Sequence, residues 1–299
     1  MGKIAERKEL EACIADLVDP GSVVGLGGLH FHNMPMALVR ELVRQEVEIG
    51  RLVPSIDASL DADLLIGAGL VEEVQVAYMG MEIYGLAPRF RAAAEAGRLR
   101  VRDCEEAGFG LAVAAGAAGQ PFATLPAGFM PDGEGLPTVA SVNPDDYREV
   151  EDPFTGRVHT AVRAIAPDVA LIHCQAIDRR GNCGFLGGSF LDVELAKAAS
   201  VCVVQAEREC EELPAECREH LPGYAVDAYC VTPGGAHPGS SHGNYAHDDA
   251  HLRRYVEQAR SEAGFAAYRE QVIGSSEAEY MAGEDVPART AALAAGPVR

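Results

Sequence analysis

Tryptophan is absent from the 299-residue chain, and aromatic residues make up only 6% of it. With 32 glycines and 48% hydrophobic residues, the interior has to be packed from Ala, Val, Leu and Ile, with backbones in close approach. Positive charge is scarce as well: 25 Lys and Arg face 45 Asp and Glu, a formal net charge of −20. A phosphate backbone is held by clustered cations that release its counterions. No such cluster is present, which argues against nucleic acid as a partner. The eight cysteines form no CxxC pair, and a chain of this size can hold a core without staples. They read as reduced thiols of a cytoplasmic protein. The N-terminal segment lacks the cationic start, apolar run and cleavage site of an export signal.

From Ala107 to Pro131 no residue is charged, a stretch long enough to span a bilayer. Pro121, Pro126 and Gly108, Gly110, Gly116 and Gly119 argue against a membrane helix, because an interrupted helix leaves backbone groups unpaired in lipid. A buried helix over 107–118, a turn and a strand over 122–126 are expected instead.

The apolar spacing alternates between strand and helix along the chain. Strands are expected at 22–28, 52–56, 73–79, 99–103, 169–177, 201–207 and 224–231. Helices are expected at 35–47, 60–68, 88–96 and 189–200, with a helical, amphipathic pattern from 247 to 281. Strands joined by helical crossovers imply an α/β fold, an open and mostly parallel sheet with helices on both faces. One domain over 1–283 is expected, followed by a loosely packed tail over 284–299. The Gly/Pro/Asp-rich stretch 128–144 is too long for a plain connection and reads as functional or partner-facing.

Several catalytic signatures are missing. GLGG at 25–28 sits where a strand hands over to a helix, a place suited to an anion, but it is not the GxGxxG of a dinucleotide site. No GxSxG and no reactive-cysteine motif appears, and GSSHG at 239–243 places serine next to histidine without the geometry of a triad. His30, His32, His237, His242, His247 and His251 do not frame an HExxH, so no metal site is expected and the imidazoles are read as solvated or pocket-lining. Among the carboxylates, Glu82 and Glu106 stand out at element boundaries beside glycine and apolar residues, where a raised pKa would suit a base or nucleophile. The bland reading of Glu106 is a helix N-terminal acid suited to the macrodipole.

Taken in order, APDVALIHCQAID (166–178), GNCGFLGGSFLDVELAKAA (181–199) and PGGAHPGSSHGNY (233–245), preceded by NP at 143–144 and DPF at 152–154, resemble the α (A) subunit of family I coenzyme A transferases, of the glutaconate type. The resemblance runs over about residues 8–282. GLGGL (25–29) falls on the family's glycine loop, with Leu29 replacing its Phe and Asn33 standing where a glycine precedes the proline by two. What the resemblance implies is half an enzyme. A β subunit would supply the nucleophilic glutamate, and this chain would contribute substrate contacts through Gly27, Gly28, Asn33 and Glu82. Coenzyme A would enter as a thioester substrate, with no tightly bound cofactor. Two alternatives stay open: a ring-opening hydrolase or a decarboxylase acting on a CoA thioester with Glu106 as base, and a non-catalytic binding subunit.

Overall fold

The computed structural model describes residues 4–125 and 139–294. Eight strands make one sheet: β1 (Glu6–Arg7), β2 (Val23–Leu26), β3 (Ile49–Val53), β4 (Val71–Val76), β5 (Arg100–Asp103), β6 (Val169–Cys174), β7 (Val201–Ala206) and β8 (Ala228–Val231). Their order is β1-β8-β7-β6-β2-β3-β4-β5, and every neighbouring pair is parallel. From β2 the chain steps outward through β3, β4 and β5, then returns to place β6 on the other side of β2. The gap between the carboxyl ends of β2 and β6 is therefore the topological switch point, where sheets of this kind open a crevice for ligands.

Alternation along the strands feeds two cores. In β6, Val169 and Leu171 join one cluster while Ala170, Ile172 and Cys174 join the other. Helices α1 (Leu10–Ala15), α2 (Met36–Arg44), α3 (Leu60–Gly67) and α4 (Pro88–Glu95) cover the first face with side chains such as Ile14, Leu38, Leu42, Leu64 and Leu65. Helices α5 (Glu106–Ala117) and α6 (Asp192–Ala198) cover the second with Phe109, Val113 and Leu195. Each such side chain taken from water contributes on the order of 1.5–3 kcal/mol. The expected α/β architecture, with helices on both faces of a parallel sheet, is what the chain adopts. All eight cysteines are unpaired, and no helix of the described residues is long and apolar enough to cross a membrane.

Three expectations need correction. The segment read as a buried helix, α5, has one exposed stripe, Ala107, Leu111, Ala114 and Ala118. It needs Gly116 because the carbonyl of Ile165 lies where a Cβ would stand. The strand at Phe122–Thr124 leaves the parallel sheet and pairs antiparallel with Val158–Arg163, itself paired with Tyr147–Glu151. Residues 284–294 are not a loose tail throughout: Glu284 and Val286 are buried, Arg289 Nη1 lies 2.6 Å from Asp248 Oδ2, and Val286–Ala294 is helical. Most of the 128–144 stretch falls outside the described residues.

The C-terminal helices α7 (Asp249–Ala259), α8 (Glu262–Tyr268), α9 (Glu277–Gly283) and α10 (Val286–Ala294) pack around the first core through Leu252, Tyr255, Phe265, Tyr268 and Tyr280. The buried Arg40 guanidinium ties α2 to α9: it pairs with Glu277 through two nitrogens, donates to the His237 carbonyl at 2.7 Å and lies 3.7 Å from the centre of the Tyr280 ring.

Candidate functional site

At the switch point β2 runs into Gly27 and Gly28. The Gly28 φ of +89° lies in a region that glycine enters without penalty, and a Cβ there would stand 2.6 Å from the His32 carbonyl. A Cβ on Gly27 would meet Asp192 Oδ1 at 2.7 Å. The N–H groups of this turn are used internally. Gly27 donates to Leu171 O (2.9 Å), Gly28 to Asp192 Oδ1 (2.7 Å), Leu29 to His32 O (2.9 Å) and His30 to Asp57 O (2.9 Å). Gly27 and Gly28 thus stand at the expected place, but with their backbone donors and Cα faces turned into protein.

Beyond the turn, the carboxyl ends of four neighbouring strands bring polar groups to one edge. His30 follows β2, Asp57 follows β3, Glu82 follows β4 and Glu106 follows β5. His30 Nε2 lies 3.4 Å from Asp57 Oδ2 and its Nδ1 lies 3.2 Å from Glu82 Oε1. Asp57 and Tyr78 face each other in a short parallel pair, and the Tyr78 ring meets His30 edge-on at 6.0 Å. The Asp57 carboxyl is pushed above its ordinary range by burial, an effect that His30 opposes and the Glu106 and Glu82 charges add to. Glu82 and Glu106, singled out from sequence, are therefore members of one cluster. Glu106 is exposed in the first turn of α5. Capping belongs to Glu105, whose carboxylate accepts from Ala107 N–H and Gly108 N–H, while Glu106 stands in the first turn as the N-terminal acid that suits the macrodipole.

Beneath the switch point lies a buried polar network that the sequence did not reveal. Gln205 Oε1 accepts from Leu38 N–H (3.1 Å), which turns its Nε2 to His173 Nδ1 (2.8 Å). His173 therefore keeps its proton on Nε2 and donates to Ser241 Oγ (3.1 Å). Burial lowers the His173 pKa to about 3, so the ring is neutral. Ser241 Oγ also lies within hydrogen-bond reach of Gln175 Nε2 (3.2 Å) and Asn244 Nδ2 (3.1 Å), which share its remaining lone pair. Glu207 Oε1 accepts from Tyr245 O–H (2.6 Å) and its Oε2 from Gly234 N–H (2.7 Å). His173 and Gln205 sit in register on neighbouring strands, and Gln175 and Glu207 follow directly after those strands. Two polar residues in register in otherwise apolar strands were the signal available in the sequence.

Asn33 joins this network: its Oδ1 accepts from Gln175 Nε2 (2.8 Å) and His242 N–H (3.2 Å). His32 Nδ1 lies 2.6 Å from Ser240 Oγ, and its ring stacks on His242 at 5.2 Å. Burial, with the neighbouring imidazoles, lowers the His32 pKa to about 4. The serine–histidine pairing therefore joins residues 208 apart rather than the sequence neighbours of GSSHG.

His237 and His251 are not solvated or pocket-lining. With Asp248 they make the group of potential metal ligands found among the described residues, but their nitrogens already have partners. His237 meets Tyr280 O–H (2.6 Å) and Asp248 Oδ2 (3.2 Å); His251 meets Glu284 Oε2 (3.1 Å) and Tyr268 O–H (2.8 Å). The guanidiniums of Arg289 and Arg254 also lie on Asp248 and Glu284. This arrangement suits a structural hydrogen-bond cluster better than a cation.

The coenzyme A transferase family model matches residues 7–230. The chain is 34% identical to the A subunit of the 3-oxoadipate CoA-transferase of Pseudomonas knackmussii, covering 90% of this chain and 94% of that one. It is 32% identical to the A subunit of the glutaconate CoA-transferase of Acidaminococcus fermentans, over 87% and 85%. To the cholesterol ring-cleaving hydrolase IpdA subunit of Rhodococcus jostii it is 29% identical, over 94% and 96%. Among solved structures it is similar to the Acidaminococcus fermentans glutaconate coenzyme A-transferase, with a TM-score of 0.83, 27% identity and 96% and 94% coverage. It is also similar to the decarboxylase AibA/AibB, with a TM-score of 0.77, 30% identity and 89% and 98% coverage. By the match of its sequence over most of its length, the chain belongs to the coenzyme A transferase family.

Proposed function

We propose that this chain is the A subunit of a two-chain enzyme that moves coenzyme A between an acyl-CoA and a carboxylic or dicarboxylic acid. The observation that carries this reading is the near end-to-end likeness, 90% of this chain and 94% of the relative, to a protein named as one subunit of a transferase. The partner supplies a glutamate. Its carboxylate attacks the thioester carbonyl carbon, the C–S bond breaks, and a mixed anhydride and CoA thiolate result. The thiolate attacks the glutamyl carbonyl, releasing the first acid and leaving a glutamyl thioester. The second acid attacks that thioester and expels the thiolate, forming a new anhydride. The thiolate then takes the new acyl group and frees the glutamate.

In this reading the carboxyl edge of β2–β5 faces the partner. Asn33 and Glu82 contact the acid substrate, and Gly27 and Gly28 shape the turn. No tightly bound cofactor is called for, since CoA enters and leaves as substrate. The unpaired thiols suit the cytoplasm, where we place the reaction. A second reading is favoured by one observation, the exposed Glu106 among Asp57, Glu82 and His30. On this scaffold such a carboxylate could serve as general base for hydrolysis or decarboxylation of a CoA thioester.

The test is reconstitution. Purified alone, the chain is expected to transfer no CoA from acetyl-CoA to dicarboxylic acids such as glutaconate or 3-oxoadipate. Adding a β subunit that bears the nucleophilic glutamate is expected to start turnover, followed by mass spectrometry of the acyl-CoA products. Robust transfer by the isolated chain would overturn the two-chain reading.

A further inference from the structure

The four N–H groups of residues 27–30 all end on protein acceptors, so this turn holds no free donor for a developing negative charge. Asn33, at the end of the same loop, has the opposite character. It is fully buried and held at φ +54°, a left-handed conformation that non-glycine residues adopt infrequently, asparagine among the more tolerant. Both hydrogen bonds to its amide oxygen are fixed: Gln175 Nε2 at 2.8 Å and His242 N–H at 3.2 Å. Gln175 is itself held in one orientation, because its Oε1 accepts from Leu186 N–H at 3.1 Å. The Asn33 amide therefore has its oxygen committed and its nitrogen directed elsewhere, and that nitrogen is buried without any partner.

An unsatisfied buried amide costs about 1–3 kcal/mol, and native chains retain such groups where a ligand or a catalytic need accounts for them. Of the surrounding side chains, His173, Gln175, Gln205 and Ser241 are hydrogen-bonded, while His242 Nδ1 shares with Asn33 Nδ2 the lack of a partner. The rings beside Asn33, His32 and His242, have lowered pKa values, so the amide's neighbours at neutral pH are uncharged imidazoles rather than competing cations.

We propose that Asn33 Nδ2 is the hydrogen-bond donor this chain extends to the carbonyl oxygen of the acyl substrate, and that it stabilises the oxyanion formed when the partner's carboxylate adds to that carbonyl. The inference rests on the two-chain reading above. The amide neither gains nor loses a proton. It strengthens its hydrogen bond as charge moves onto the oxygen, and relaxes when the C–S bond breaks and the carbonyl re-forms.

Asn33→Asp keeps the shape, the acceptor oxygen and the tolerance of left-handed backbone, but replaces the donor nitrogen with oxygen. In the reconstituted complex, with acetyl-CoA and a dicarboxylic acid that supports turnover, kcat is expected to fall by roughly 10²–10³. KM for acetyl-CoA should stay within about threefold. Asn33→Gly, which removes the amide and relieves the backbone but leaves Gln175 Nε2 and His242 N–H without their acceptor, should show the same kcat loss in the folded complex with a lowered melting temperature. If the unaltered complex is inactive, the two-chain reading fails before this one is reached. With an active parent, the proposal is overturned if either folded variant keeps more than a third of kcat. It is equally overturned if the loss falls on KM alone, or if neither variant assembles with the partner, since the amide would then be structural.

Discussion

His237 and His251, beneath the C-terminal helices, have each ring nitrogen paired, with Tyr280, Asp248, Glu284 and Tyr268 as partners. At the carboxyl edge the opposite holds: Asn33 Nδ2 is buried without a hydrogen-bond partner, and Glu106 is exposed. Both regions are rich in histidine and carboxylate, and sequence composition does not separate them. What separates the His237 and His251 rings from the Asn33 amide is satisfaction, although Arg254 Nε beside His251 is also buried without a partner. Buried polar groups that are fully bonded fix one packing arrangement, whereas groups left open hold capacity for a ligand at a cost in stability. Damage to the first region should therefore appear in folding, and damage to the second in turnover.

The sharpest test is Arg40→Met. Arg40 is fully buried, and the carboxylate of Glu277 raises its pKa against the opposing effect of burial. Removing Arg40 leaves the buried Glu277 carboxylate with Arg44, at 3.0 Å, as its remaining cation and takes the guanidinium donor from the His237 carbonyl, a loss of up to about 3–5 kcal/mol. Urea unfolding of the variant should show that loss, while kcat of the folded, reconstituted complex remains near the parent value. An unchanged urea midpoint with slower turnover would break the comparison, because the paired region would then be functional.

Asp192 stands between the two cases. Its Oδ1 accepts from Gly28 N–H at 2.7 Å, its Oδ2 is buried without a partner, and burial raises its pKa from 3.8 to about 8, helped by the Glu194 and Glu219 charges and opposed by the Gly28 N–H. A carboxyl with a raised folded pKa keeps its proton when folded and loses it when unfolded between those two values. Its contribution to stability is therefore lost as pH rises from about 4 to 8, by at most about 1.4 kcal/mol per pH unit. In Asp192→Asn the amide does not titrate, yet its oxygen can keep the Gly28 bond. The stability of this variant relative to the parent should rise between pH 5 and 8 and level off above, as read from urea midpoints at several pH values. A pH-independent difference would mean that the carboxyl is already ionised in the fold.

The parallel order of the sheet was legible because β2, β6 and β7 are continuous apolar runs separated by helical periods, a pattern that arises when both faces are covered. The short antiparallel pairs at 147–151 and 158–163 were not, since exposed strands alternating with charge look like loop. At the site, Glu82, Glu106, Asn33 and the glycine turn were visible as residues at element boundaries. Their grouping was not, because His30, Asp57, Glu82 and Glu106 lie on separate loops and only strand order makes them neighbours. Sequence also offered no way to see that the glycine N–H groups are consumed internally, which depends on the position of Asp192 on α6.

The smallest effect expected in this set concerns Glu106. In the transferase reading the nucleophile comes from the partner, so Glu106→Gln keeps the shape and polarity of an exposed side chain and removes one charge from the cluster with Asp57 and Glu82. The cap of α5 is unaffected, because Glu105 supplies it; melting of the variant should therefore match the parent. Turnover of the reconstituted complex is expected to fall by less than about tenfold, which is no more than about 1.4 kcal/mol of barrier. In the hydrolase or decarboxylase reading the same carboxylate accepts a proton in the rate-determining step, a role the amide cannot fill, and the loss would be of order 10²–10⁴. A large loss with unchanged melting would move the reacting centre of this chain from Asn33 to the acidic edge. A small one would leave that edge as a surface that positions substrate or partner, and so sharpen the difference between groups left open for chemistry and groups left open to solvent.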